Sequence, residues 1–67
     1  MIDIRHPEVT VQLTGEDGDA FMIIGLVQRA LRDAGVSEEE ISQFHAEATS
    51  GDYDHVLVTC MRWVDVQ

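Results

Sequence analysis

The stretch AFMIIGLVQRALRDA, from Ala20 to Ala34, carries the clearest periodicity in the chain. Its apolar residues recur at steps of three and four, and this spacing predicts an amphipathic helix with one buried face. The face comprises Ala20, Ile23, Ile24, Val27, Leu31 and Ala34, flanked by Phe21 and Ala30.

The ends and the middle of this helix carry separate signals. Asp17 and Asp19 precede it as candidate N-caps, and Gly35 follows it as a left-handed stop. Gly25 lies in its middle, where glycine costs about 0.5–1 kcal/mol relative to alanine. Such a glycine is typical of a close approach by another backbone, so we expect a packed neighbour at this turn.

The segment before the helix has a different period. From Glu8 to Thr14, apolar and polar residues alternate, which predicts a half-buried strand. Pro7 precedes the strand, where its missing amide does least harm to a sheet. The residues from Gly15 to Asp19 are rich in turn formers and predict a turn between strand and helix.

A second helix is predicted to begin at Ser37 and to end at Gly51. Ser37 and Glu40 have the spacing of a capping box, in which the glutamate side chain reaches back to the serine amide. Four residues after this start share one face and predict its buried side: Ile41, Phe44, His45 and Ala48.

The last segment, Asp52 to Gln67, fits two interpretations. Val56 to Thr59 is β-prone and allows one long strand. A helical spacing also fits, with one side formed by Tyr53, Leu57, Cys60, Met61 and Val64. We favour a short helix from Asp52 to Arg62 followed by a strand from Trp63 to Val66. Residues 1–67 are therefore predicted to form a single α+β domain of order β-α-α-α-β, with a two-stranded antiparallel sheet packed on the helices.

Composition excludes several classes of function. The 67 residues contain four Arg and no Lys against thirteen Asp and Glu, with a net charge of −9. A direct nucleic-acid binder is disfavoured, because phosphates attract basic side chains. Apolar runs are too short for a membrane span or a secretory signal. The single cysteine, Cys60, cannot form an internal disulfide, which fits a cytoplasmic location.

The use of arginine alone has two interpretations, which composition leaves open. It can reflect a coding bias, or the arginines can hold the fold together through carboxylate pairs while other acids face outward.

Enzymatic and metal-binding patterns are weak. His45, Asp52, Asp54 and His55 lie close in sequence, but their spacing matches no zinc site. Cys60 with His55 has the composition of a nucleophile and its base, yet a lone cysteine in so short a chain is more typical of a buried apolar residue. We therefore expect no enzyme activity, no metal and no cofactor.

The acidic residues carry the main functional signal. They cluster where helices are predicted to start, and the candidate partner-binding residues are Asp17, Asp19, Glu38, Glu39, Glu40, Asp52 and Asp54. Interaction with helix dipoles also favours acids at these positions, at about 0.3–1 kcal/mol each. That interpretation explains their positions but not the net charge, which exceeds the magnitude of about 2–8 that suffices for solubility.

The sequence resembles a family of short acidic proteins found on phages, plasmids and bacterial chromosomes, which is similar to small inhibitors of type I-C CRISPR complexes. The similar segments span almost the whole chain: Val9-Thr10-Val11-Gln12-Leu13, Gly15, Asp17-Gly18, Ala20-Phe21, residues 30–36, residues 47–55 and Met61-Arg62-Trp63-Val64. Typical members carry Leu-Leu-Gln where this chain has Val56-Leu57-Val58, so the chain departs from the family there. The resemblance implies a class of partner and no individual site residue.

Three functions remain as alternatives. The first is an inhibitor that mimics nucleic-acid charge and blocks a basic DNA-binding groove, such as that of a type I CRISPR effector. The second is an accessory interaction module without mimicry, and the third, least favoured, is a small enzyme. We expect a monomer by default. Some of the large apolar residues are also predicted to form an exposed patch or a dimer contact, and the candidates are Phe21, Met22, Phe44 and Trp63.

Overall fold

The computed structural model describes residues 3–12 and 20–67, in which three helices separate two strands along the chain. The elements are β1 (His6–Val11), α1 (Ala20–Asp33), α2 (Glu38–Ala48), α3 (Tyr53–Trp63) and β2 (Val64–Val66). The predicted β-α-α-α-β order is confirmed. The predicted turn and the last two residues of the predicted first strand fall within residues 13–19, outside the described residues.

The two strands pair in parallel, so the prediction of an antiparallel sheet is wrong. His6 pairs with Val64 and Val11 pairs with Val66, which means that both strands run in the same direction. The register shifts between His6 and Thr10. These two residues are four positions apart in β1, whereas their partners Val64 and Asp65 are adjacent in β2.

The direction of β2 follows from its connection to α3. An alternating pattern assigns side chains to the two faces of a strand, but it carries no information on strand direction. Parallel strands need a crossover of at least a dozen residues, and the three helices supply it. Trp63 ends α3 and Val64 begins β2 without a loop between them, so the end of the helix orients the strand.

Helix α1 buries most of the face predicted from its periodicity, and its C-terminal stop is confirmed. The prediction is wrong for Ala34, which is exposed beyond the end of the helix, and Ala20 is only half-buried. Its buried residues are Ile23, Ile24, Val27 and Leu31. Gly35 has a φ of +87°, in the left-handed region. The Val36 amide donates to the Leu31 carbonyl and the Gly35 amide to the Arg32 carbonyl, both at 3.0 Å, as in a Schellman motif.

The prediction of a close neighbour at Gly25 is wrong. The residue is exposed, and the space that a Cβ atom would occupy has no other atom within 4 Å. In the described part of the chain, Gly25 therefore has no packing role that offsets its cost to α1.

The helical interpretation of the last segment is confirmed, because Val56 to Thr59 lie inside α3. The predicted side of this helix is wrong in part: Tyr53 and Met61 are exposed. The buried residues of α3 are Val56, Thr59, Cys60 and Trp63. The buried side of the helix is therefore displaced from the predicted side by about one residue toward the N-terminus.

The core lies between the helices and the inner face of the sheet. Its fully buried large side chains are Phe44, Leu31, Val27, Val64 and Cys60. Val9 and Val11 contribute from β1, as their alternation predicts. Every described helix and both strands thus supply side chains to one hydrophobic cluster.

Candidate partner-binding surface

Helix α2 begins with three successive glutamates whose surroundings differ. Ser37 caps the helix, as predicted, and its Oγ accepts a hydrogen bond from the Glu40 amide at 3.3 Å. Arg32 donates from Nε and Nη2 to the Glu38 carboxylate at 2.9 and 3.3 Å. These hydrogen bonds lower the pKa of Glu38 and raise the pKa of Arg32. Glu39 is exposed and makes no ion pair with any described residue.

The side chain of Glu40 turns toward the N-terminal strand. Its Oε1 lies 3.2 Å from Nε2 of His6 and 3.3 Å from Nε of Arg5. The predicted return of this carboxylate to the Ser37 amide is therefore wrong, because tertiary partners hold it elsewhere. Only the serine half of the capping box forms, and Glu40 connects α2 to the start of β1.

The acids of α3 have one capping residue and one exposed residue. The His55 amide donates to Oδ1 of Asp52 at 3.0 Å, so Asp52 is the N-cap. Asp54 lies exposed in the first turn. Only four residues separate this turn from the end of α2, an 11-residue helix that spans roughly 16 Å at about 1.5 Å per residue. The Glu38–Glu40 cluster and the Asp52 and Asp54 pair therefore lie at opposite ends of α2, not in one patch.

The predicted site residues thus divide into three groups. Asp17 and Asp19 lie outside the described residues. Three others have intramolecular partners, namely Glu38, Glu40 and Asp52. Glu39 and Asp54 are exposed and unpaired within the described ranges 3–12 and 20–67.

A cluster around Trp63 escaped prediction from the sequence. The indole Nε1 donates to Oε2 of Glu47 at 2.6 Å, and the Phe44 ring meets the indole edge-on at 5.7 Å. His6 stacks on the indole at 6.0 Å, and Cζ of Arg5 lies 4.4 Å from the ring centroid, within cation–π range. These contacts join residues that are 16 or more positions apart, so no local spacing could have indicated them.

The arginines divide between internal and solvent-facing positions. Arg5 contacts Glu40 and Trp63, and Arg32 binds Glu38. Arg29 and Arg62 are exposed, with no acidic partner among the residues that the structure describes. The hypothesis that arginines hold the fold together thus applies to Arg5, whose contacts bring the N-terminal strand onto two helices.

Cys60 and His55 do not form a nucleophile–base pair. Cys60 is fully buried, and this burial raises the pKa of its thiol to about 11. His55 Nε2 lies 2.9 Å from the Glu47 carbonyl oxygen and 3.1 Å from Oγ of Ser50, at the α2–α3 turn. Within the described residues, no group of three or more His, Cys, Asp or Glu side chains is arranged to hold a metal ion.

A groove of about 250 Å³ opens where the start of α1 meets the α2–α3 turn. Its buried lining is apolar and includes Ile24, Ala48 and Val56. Phe21 and Tyr53 flank it and are 82% and 41% exposed. Thr49, Gly51 and Asp52 also belong to the lining, so the α2–α3 turn adds a hydroxyl and a carboxylate residue to a mainly apolar depression.

Further apolar side chains are exposed on the helices. Of the four residues predicted to form a patch or dimer contact, Phe44 and Trp63 are buried, whereas Phe21 and Met22 are exposed. Sequence reasoning missed the other exposed large apolar residues of the described helices, which are Leu26 on α1 and Tyr53, Val58 and Met61 on α3. A dimer contact through Phe21 or Met22 stays a prediction.

Comparisons with known proteins found no matching family model, no similar curated protein and no similar solved structure. The functional assignment therefore depends on the residues of this chain, and the resemblance to inhibitors of type I-C complexes stays a prediction. In the described part of the chain, no helix has the length and apolar character needed to span a membrane.

Proposed function

We propose that this protein is a non-catalytic inhibitor that acts as a monomer in the cytoplasm. Its acidic surface binds the basic groove of a nucleic-acid-binding protein, such as a type I CRISPR effector complex. The observation that carries the proposal is the imbalance of exposed charge. Ten of the thirteen acids lie among the described residues, and arginine pairs with only two of them, Glu38 and Glu40. The other eight carboxylates lack an arginine partner in that part of the chain.

This charge distribution suits competition with a nucleic acid. A basic groove that binds phosphates attracts a protein of net charge −9, and long-range attraction raises the rate of association. Carboxylates that are not neutralised by neighbouring arginines can pair with Lys and Arg of the partner. Glu39 and Asp54 are the predicted site residues best placed for such pairing, since both are exposed.

The decisive experiment is competition for a purified type I-C effector complex against its target DNA. We expect the protein to prevent DNA binding at low salt. Because ionic contacts are screened, its inhibition constant should rise by more than about tenfold between roughly 50 and 200 mM salt. Undiminished DNA binding at a large excess of the protein would contradict the proposal for this effector.

A pair of matched double variants tests whether particular carboxylates act. Glu39→Gln with Asp54→Asn should weaken inhibition by about tenfold, the effect of losing roughly 1.4 kcal/mol of binding. Asp3→Asn with Asp33→Asn removes the same formal charge from two other exposed positions and should change inhibition less than about threefold. Equal losses in the two variants would indicate that net charge alone, and no defined surface, is responsible.

The second candidate function is an accessory interaction module that binds its partner through apolar contacts. The exposed apolar side chains support it, among them Met22, Val58 and Met61. Salt dependence separates the two functions, because an apolar interface keeps its affinity at high salt whereas charge mimicry loses it.

A further inference from the structure

We propose that the groove between the start of α1 and the α2–α3 turn binds one large apolar side chain from a basic segment of a partner protein. The basic character of the partner rests on the proposed function. The apolar anchor is an addition to it, since charge mimicry alone requires no pocket.

The size and lining of the groove favour a single side chain. Its volume of about 250 Å³ lies below the range of roughly 300–1,000 Å³ that is typical of small-molecule pockets. Ile24, Ala48 and Val56 present apolar surface inside it, and Phe21 and Tyr53 stand at its sides. An aromatic anchor in a pocket of this kind is the usual centre of a protein–protein contact.

Charge complementarity decides which kind of segment carries the anchor. Asp52 lies in the lining, Asp54 follows in the same helical turn, and the described lining contains no basic residue. Oδ1 of Asp52 accepts one hydrogen bond from the His55 amide, and a carboxylate has further acceptor positions for Lys or Arg. A second copy of this chain is a poorer occupant, because each copy carries a net charge of −9.

The test is an NMR titration of the 15N-labelled protein with three short synthetic peptides. The first is acetyl-Lys-Lys-Trp-Lys-Lys-amide, the second has Ala in place of Trp, and the third has Glu in place of every Lys. We expect the first peptide to shift the amide resonances of Ile24, Ala48 and Tyr53. It should bind at least tenfold more tightly than either of the others.

Variants with matched controls locate the binding. Phe21→Ala and Tyr53→Ala should each weaken binding of the first peptide by fivefold or more. Met22→Ala and Met61→Ala remove exposed apolar side chains outside the groove lining and should leave binding unchanged. Asp52→Asn with Asp54→Asn should reduce the preference for Lys over Glu, since asparagine preserves the N-cap. The amide spectrum of each variant shows whether it is folded.

Three results would overturn the groove proposal: equal binding of the Trp and Ala peptides, equal binding of the Lys and Glu peptides, or shifts outside the groove. Concentration-dependent shifts at Ile24 and Ala48 without peptide would identify a second copy as the occupant and also overturn it. Inhibition of the effector without groove shifts would refute the groove while leaving charge mimicry in place. Binding of the first peptide in the groove without inhibition of the effector would support the groove proposal and contradict charge mimicry.

Discussion

The indole Nε1 of Trp63 donates a 2.6 Å hydrogen bond to Oε2 of Glu47, which joins the end of α3 to the C-terminal half of α2. Trp63 is 3% exposed, so its N–H has little access to water. The same indole contacts Phe44, His6 and Arg5. The bond therefore orients a ring on which the N-terminal strand and two helices converge.

Removing this acceptor should destabilise the fold. Glu47→Ala leaves a nearly buried N–H without its charged partner, and we expect the free energy of unfolding to fall by about 1.5–3 kcal/mol. Glu47→Gln keeps an acceptor and should lose less. Urea unfolding followed by fluorescence measures both, because Trp63 is the only tryptophan. Glu39→Ala, an unpaired glutamate on the same helix, is the control and should stay within about 0.5 kcal/mol of the native chain. A Glu47→Ala variant as stable as this control would show that the bond contributes nothing.

Two glycines should respond to alanine in opposite directions. Gly25→Ala places a methyl group in open space inside α1 and should raise the free energy of unfolding by about 0.5–1 kcal/mol. Gly35→Ala forces a side chain into a residue with φ of +87° and should lower it by about 1 kcal/mol. Thermal unfolding of both variants checks the signs. Destabilisation by Gly25→Ala would reveal a contact at this face of α1 that the described residues do not contain.

Glu38 and Glu40 should differ in their effect on stability although both carboxylates contact arginine. Glu40→Gln weakens contacts to His6 and Arg5 that attach β1 to α2, and we expect a loss of about 1 kcal/mol. Glu38→Gln weakens a pair with Arg32 whose two side chains are largely exposed, and it should change stability less. Because Arg32 lowers the pKa of Glu38, the contribution of this pair is present at neutral pH. It is lost as the pH falls through the pKa of Glu38 in the folded protein. Urea unfolding of both variants at neutral and acidic pH tests this order, and a larger loss in Glu38→Gln at neutral pH would reverse it.

Burial of Cys60 predicts a loss of stability in alkali. The pKa of the thiol is about 11 in the folded protein against 9.0 for an exposed thiol, so the unfolded chain releases its proton first. The contribution of the neutral thiol is complete below pH 9.0 and is lost as the pH rises toward 11, by about 2–3 kcal/mol. Cys60→Ala is less stable at neutral pH because of the cavity, but its stability should fall less steeply over this interval. If the free energy of unfolding fell equally steeply with pH in the native protein and in Cys60→Ala, burial of the Cys60 thiol would not be the cause of the loss.

Local patterns were sufficient for the existence of α1 and α2, for the stop of α1 and for the start of α2. The three- and four-residue spacing of α1, the left-handed stop at Gly35 and the N-cap Ser37 follow from neighbouring residues, whereas for Asp52 the sequence predicts only a place at a helix start. These features depend on interactions within one or two helical turns, which the sequence displays directly. The concentration of acids at helix starts was visible for the same reason.

Composition and local spacing were enough for the order of the elements, most of the buried face of α1, the Ser37 cap and the excess of negative charge. The parallel direction of β2, the buried side of α3 and the partners of individual acids depend on long-range packing. Strand direction depends on how α3 leads into β2, and the buried side of α3 depends on which neighbours surround it. The role of Glu40 depends on Arg5 and His6, which lie more than thirty positions away in the chain and reach its carboxylate only when β1 packs beside α2.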